Sequence, residues 1–237
     1  EFYLWSKRPV VEIATAAALG VVAGIVARSY NYSGTGLNQY LFLLAETGRG
    51  KEAIHDCINR MFNEMSQTIP GVMDFMGPSE FASPQAVIKT LSRKPVCISL
   101  VGEFGHELEQ MSNPKNVQKA GFRKVLLNVY NKSGKRNMLH GSAYADAEKN
   151  IASIHSPALS IIGECTFESY YKGVDVSHIA EGLLPRFLTI SYHGKRVPLV
   201  EDTKTSCDPA ILRQMSDIAI AALSLQQSNQ TCLLYTS

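Results

Sequence analysis

The chain lacks paired cysteines. Cys57, Cys97, Cys165, Cys207 and Cys232 lie far apart, with no C-x-x-C among them, which argues against a disulfide frame or a zinc site. An odd, scattered set, with Cys97 and Cys165 inside apolar runs, reads as buried thiols in a reducing, cytoplasmic setting. The six histidines are equally dispersed and form no H-x-x-x-H, so none is nominated as a metal ligand. No G-x-S-x-G is present, and no nucleophile–histidine pair can be named. Neither charge dominates: 23 basic residues face 21 acidic ones, so only the distribution of charge bears on nucleic acid. No apolar run reaches the roughly 20 residues needed to cross a bilayer. The uncharged stretch 13–27, bounded by Glu12 and Arg28, reads as a buried, alanine-rich helix and not a membrane segment. Repeats, coiled-coil heptads and low-complexity tracts are also missing.

What is present is a core-forming chain of 237 residues, 45% apolar, in which strand-like runs alternate with helical ones. Helices are expected over about 10–29, 51–67, 84–91, 116–131, 167–184 and 209–225. Strands are expected over 39–44, 72–76, 96–101, 158–163 and 187–192. Residues 31–38 read as a turn cluster, and 146–154 as a short helix or loop. Alternation of this kind predicts an α/β fold with a mostly parallel central sheet. The chain divides into a helical lead-in (1–38), a main domain (39–225) and a tail (226–237). The tail follows from nothing before it and reads as disordered or truncated.

The main domain is organised around Leu41-Phe42-Leu43-Leu44-Ala45-Glu46-Thr47-Gly48-Arg49-Gly50-Lys51-Glu52. An apolar strand runs into a glycine-bearing turn, a lysine and a helix. Backbone N–H groups at such a turn cradle phosphate, and the lysine reaches the outer phosphates. The spacing from Ala45 to Gly50-Lys51 fits a phosphate loop if alanine stands for the first glycine. Ala45, Thr47, Gly48, Arg49, Gly50, Lys51 and Glu52 are therefore the candidate nucleotide-binding residues. Glu52 departs from the pattern, because Ser or Thr there would hold Mg²⁺. The same residues also suit a plain strand-to-helix turn that contains two glycines.

Other stretches supply further parts of a nucleotide site. The run 97–105 (CISLVGEFG) ends in Glu103, an acidic strand-end residue of the kind that meets metal or the attacking water. Gly102 stands where an Asp would be usual. A second strand end offers Glu164 and Thr166, which equally suit capping. Arg186, between apolar residues before a strand, is a candidate phosphate or subunit-interface arginine. Arg196 is a weaker candidate that reads as surface. Seven basic and no acidic residues fall between Lys115 and Arg136. Lys132, Lys135 and Arg136 form a basic, glycine-bearing loop suited to backbone phosphates, flanked by Tyr130 and Tyr144 for stacking. A solvated helix face with a basic turn would look the same.

Taken as a series, LLAETGRGKEA, GPSEFASPQAVIKTL, SLVGEFG, LLNVYNKSG, YADAEKNIASIHSPALSIIGECT and GLLPRFLTISYHGKR resemble a phage- and prophage-encoded family of P-loop ATPases. Its members, largely domains of unknown function, sit among replication genes, often with primase or helicase modules. The resemblance covers about residues 9–200. It implies a three-layer RecA-like or AAA+-like core that binds ATP and Mg²⁺ and works as a homo-oligomeric ring on DNA, with a possible primase partner. It implies phosphate contacts from Gly48, Gly50 and Lys51, a catalytic acid at Glu103 and an arginine finger at Arg186, and it treats Glu52 as a family variant. With neither Ser/Thr at 52 nor Asp at 102, Mg²⁺ would rest on Glu52, Glu103 and nucleotide oxygens. The leading expectation is an ATP-hydrolysing, helicase-like replication protein. The alternative is a nucleotide-binding scaffold without significant hydrolysis. A small-molecule kinase is a third reading, without an acceptor-site signature to support it.

Overall fold

The computed structural model describes residues 1–113, 115–141, 150–227 and 232–234. A short helix α1 (Phe2–Trp5) leads into α2 (Val11–Val26), the expected alanine-rich helix. Helix α2 is apolar nearly all round, as a helix buried on several sides must be. Ala16, Ala17 and Ile25 are at most 1% exposed. It lies directly on the central sheet, so the lead-in set apart at residue 38 shares the core of the rest.

The turn cluster after α2 holds a small hairpin, β1 (Tyr30–Tyr32) and β2 (Thr35–Gly36). Strand β3 (Tyr40–Ala45) is buried at every position and shows no alternation, because helices cover both faces of its sheet. Helix α3 (Ala53–Ser66) buries Ile54, Cys57, Ile58, Met61, Phe62 and Met65, the face its periodicity predicts. Helix α4 (Pro84–Arg93) starts as expected: the Ala86 N–H donates to Ser83 Oγ over 3.2 Å, with Pro84 in the first turn. Then follow β4 (Val96–Val101), α5 (Phe104–Ser112), α6 (Val117–Tyr130) and the small antiparallel pair β5 (Met138–Leu139) and β6 (Ile154–His155). The chain continues through β7 (Ala158–Cys165), α7 (Phe167–Gly173), α8 (Val176–Ala180), β8 (Phe187–Tyr192), α9 (Pro209–Gln227) and β9 (Cys232–Leu234).

The central sheet has the order β4-β7-β3-β8, all parallel. One face is covered by α2, α3 and α9, the other by α4, α5, α6 and α7. The architecture is thus three-layered α/β. Alternate residues of β3 divide between the layers: Leu41 and Leu43 face α2 and α3, while Tyr40, Phe42 and Leu44 face α5 and α6.

Several expectations need correction. Residues 72–76 are not a strand. A 3-10 turn (Pro70–Phe75) replaces it, since the i, i+3 spacing of Val72 and Phe75 buries both, and only Met76 bridges to Ile98. The helix expected over 167–184 is two, because Asp175 caps a new start by accepting from the Ser177 N–H at 2.7 Å. Within the tail read as unstructured, β9 pairs in parallel with β1. Residues 146–149 of the 146–154 expectation, and Tyr144, lie outside the described residues.

Close approach explains Gly24 of α2. A Cβ on Gly24 would lie 2.8 Å from the Ile98 Cβ, an atom too near the backbone of β4 to move aside. Gly24→Leu is expected to destabilise by about 1–3 kcal/mol through overpacking, lowering Tm by roughly 2–4 °C per kcal/mol for a chain of this size, as differential scanning calorimetry would measure.

Candidate nucleotide-binding site

Parallel strands bring their C-terminal ends to one edge of the sheet, and the candidate loop leaves that edge from β3. Two residues of the loop are left-handed, Gly48 at φ 72° and Gly50 at φ 95°, a conformation that suits glycine. At Gly50 space adds to this: a Cβ would lie 3.0 Å from both Cβ and O of Arg8. The turn closes onto α3 through the Ala53 N–H to Gly50 O (3.1 Å) and the Ile54 N–H to Lys51 O (2.9 Å). Lys51 folds back over its own loop, donating from Nζ to Ala45 O at 2.6 Å. Thr47 is exposed and Arg49 half-buried on the outer turn.

The neighbouring strand ends carry two carboxylates. Glu103 follows β4, exposed and left-handed at φ 50° and ψ 38°, a strained state for a residue with a Cβ. Glu164 lies at the end of β7, in register with Leu43 of β3. Its Oε1 is 2.7 Å from His55 Nε2 on α3. A Cβ on Gly102 would meet nothing nearer than that same Oε1, at 3.9 Å. The Glu164 carboxylate is thus the nearest neighbour of the point from which an Asp side chain at 102 would start. Thr166, by contrast, is a cap: its Oγ1 accepts from the Ser169 N–H at 3.1 Å. Burial pushes the Cys165 thiol at this strand end up to about 12, against the lowering effect of the Lys51 charge, which keeps it protonated.

His55 was not singled out by spacing. It stands four residues beyond Lys51, and that offset is the one sequence signal that points it toward the strand ends. Its hydrogen bond to Glu164 raises its pKa above 6.5, against the opposing effect of burial. The folded protein thus holds this proton more tightly than the unfolded chain. The pair stabilises fully below about pH 6.5, and the contribution is lost as pH rises through the higher folded value. Thermal unfolding followed from pH 5.5 to 8.5 should show that loss, and His55→Gln should remove it.

On the far side of the loop lies a cleft of about 240 Å³, bordered by Gly50, Glu52, Ala53 and Asp56 together with Trp5 and Arg8. Arg60 packs over the Trp5 ring at 5.2 Å. Glu52 lines this cleft, and Glu103 is not among its bordering residues. No group of three or more His, Cys, Asp or Glu suited to a metal occurs among the described residues.

Arg186 is not near the loop of its own chain. It precedes β8, whose first residue pairs with Tyr40, the first of β3, so it sits at the opposite edge of the sheet, roughly 20 Å away along a strand of this length. There its Nη1 donates to Gly182 O at 2.5 Å, and its guanidinium lies 5.8 Å from the Tyr130 ring centre. The basic loop shares that edge, tied to the start of β3 by the hydrogen bond from Ser133 to Asn38. Lys135 and Arg136 are exposed and Lys132 half-buried. Of the other basic residues in the segment, Lys119 pairs with Glu107 at 2.6 Å and Arg123 with Glu181 at 2.8 Å, so they present paired charge. Tyr130 packs edge-on against Tyr40, which takes it out of the pair expected to stack on bases.

Among the described residues no helix is long and apolar enough to cross a membrane. The sequence matches no protein-family model, and no curated protein matches it.

Proposed function

We propose that the chain binds a nucleoside triphosphate, ATP as the resemblance implies, at the turn between β3 and α3, and hydrolyses it. One observation carries the reading: a left-handed Gly48/Gly50 turn with a lysine folded over it, at the C-terminal end of an inner parallel strand, beside two strand-end glutamates. Loop N–H groups and the start of α3 supply partial positive charge to phosphate oxygens. Lys51 exchanges a neutral carbonyl partner for charged oxygens, a stronger contact. The nucleoside end fits the cleft, and the terminal phosphate then points toward Glu103 and Glu164. Glu103 takes a proton from water as its oxygen attacks the terminal phosphorus, and the bond to the leaving diphosphate breaks. Mg²⁺, held by phosphate with Glu164 in the position left by Gly102, would neutralise charge on the departing oxygens.

Coupling to nucleic acid, and with it a helicase-like role in DNA replication, rests on the resemblance and on the exposed Lys135 and Arg136. Arg186 could serve only the site of a second copy, as in a ring. Hydrolysis by the purified chain, with and without single-stranded DNA, tests the whole reading. DNA stimulation that disappears when Lys132, Lys135 and Arg136 are neutralised together supports a motor. Binding of nucleotide without turnover supports the scaffold, which the absence of Ser or Thr at 52 favours.

A further inference from the structure

The arginine that lies on the loop is Arg196, from the segment that follows β8. A Cβ built on Gly48 would sit 3.7 Å from its Nε, 3.8 Å from Cζ and 3.9 Å from Nη2. The guanidinium therefore covers the turn at the residue two before Gly50. The segment that carries it is braced on both sides. Tyr192 donates its hydroxyl to Lys195 O at 2.7 Å, the Val200 N–H donates to Lys7 O at 2.9 Å, and the Arg8 guanidinium donates to Val197 O. Arg8 is also the residue packed against Gly50. The N-terminal segment, the loop and residues 195–200 thus hold one another. Arg196 itself is exposed and has no carboxylate or hydrogen-bond partner among the described residues.

Arg196 rests on the glycine turn and Lys51 folds over the same loop, so two positive groups lie on one turn, an arrangement suited to an anion. Gly48 lies at the end of the loop away from the cleft, whose border begins at Gly50. With the nucleoside in that cleft, the phosphate nearest Gly48 is the terminal one. We propose that Arg196 is a phosphate-binding residue supplied by the same chain, which contacts the terminal phosphate and makes the site prefer nucleoside triphosphate to diphosphate. This rests on the β3–α3 turn being a phosphate site, and it assigns to Arg196, in cis, a role that Arg186 could fill only from a second copy.

Competition of ATP and ADP, each with Mg²⁺, against a fluorescent nucleotide analogue tests it on the full chain. Arg196→Ala, Arg196→Lys and Lys51→Ala are compared with the unaltered protein. Arg196 is exposed, so its variants fold. Arg196→Ala should weaken ATP about tenfold, the scale of one hydrogen bond to a charged group, and change ADP less than twofold. Arg196→Lys should recover part of the loss. If Lys51→Ala weakens both nucleotides while Arg196→Ala weakens both equally or neither, the phosphate loop stands and the role of Arg196 is overturned. If the unaltered chain binds neither nucleotide, or Lys51→Ala binds both as tightly as it does, the phosphate loop falls and the inference with it.

Discussion

Lys51→Ala is expected to weaken nucleoside triphosphate binding by about 100-fold, leaving the fold intact. Removing one partner of a desolvated charge contact costs roughly 2–5 kcal/mol, and every 1.4 kcal/mol is tenfold. Stability should barely move, because Lys51 is half-buried and its amine makes one hydrogen bond, to Ala45 O. Titration with a fluorescent nucleotide beside a thermal melt separates the two effects. Equal affinity in a folded variant would sink the assignment of the loop. A loss of both affinity and Tm would instead make Lys51 a brace for the turn.

The second large effect concerns the two strand-end glutamates, which should fail differently. Glu103→Gln should lower kcat by about 10²- to 10⁴-fold, the usual contribution of a positioned general base, with nucleotide affinity nearly unchanged. Glu164→Gln should raise the Mg²⁺ concentration needed for half-maximal hydrolysis. If the two variants behave alike under a Mg²⁺ titration, the division of roles is wrong. Glu103 carries a further signature. Its left-handed backbone costs a non-glycine residue on the order of 1 kcal/mol, so Glu103→Gly should melt slightly higher than the unaltered chain while losing hydrolysis. Strain retained at a position whose relief abolishes activity is what a functional residue shows, and a capping residue would not show it.

The layers were legible before the coordinates, for a physical reason. Strands β3, β4 and β7 are buried on both faces and appear as unbroken apolar runs, and α3 carries its core face at helical spacing. Residues 72–76 misled because a short apolar run has no periodicity to separate a strand from a 3-10 turn. The loop was legible because its chemistry is local, in glycines, lysine and flanking strand. The Glu164–His55 contact was not, since it joins residues 109 apart and depends on the parallel register of β7 with β3. The two arginines flanking β8 teach the same lesson. In a parallel sheet, residues after a strand share the edge of the loop and residues before it do not. Strand direction therefore separates Arg196, on the edge of the loop, from Arg186, on the other, which the flanking residues alone do not do.

The order of the sheet also bears on how the protein is made. Strand β3 is made well before both its neighbours, residues 158–165 and 187–192. At roughly 5–20 residues per second, an all-apolar strand waits on the ribosome for about 6–24 s without either partner. Its edges stay open to other nascent chains for that time, and closing such distant pairings makes folding slow. Yield during rapid synthesis should depend on chaperones that shield the first half of the chain.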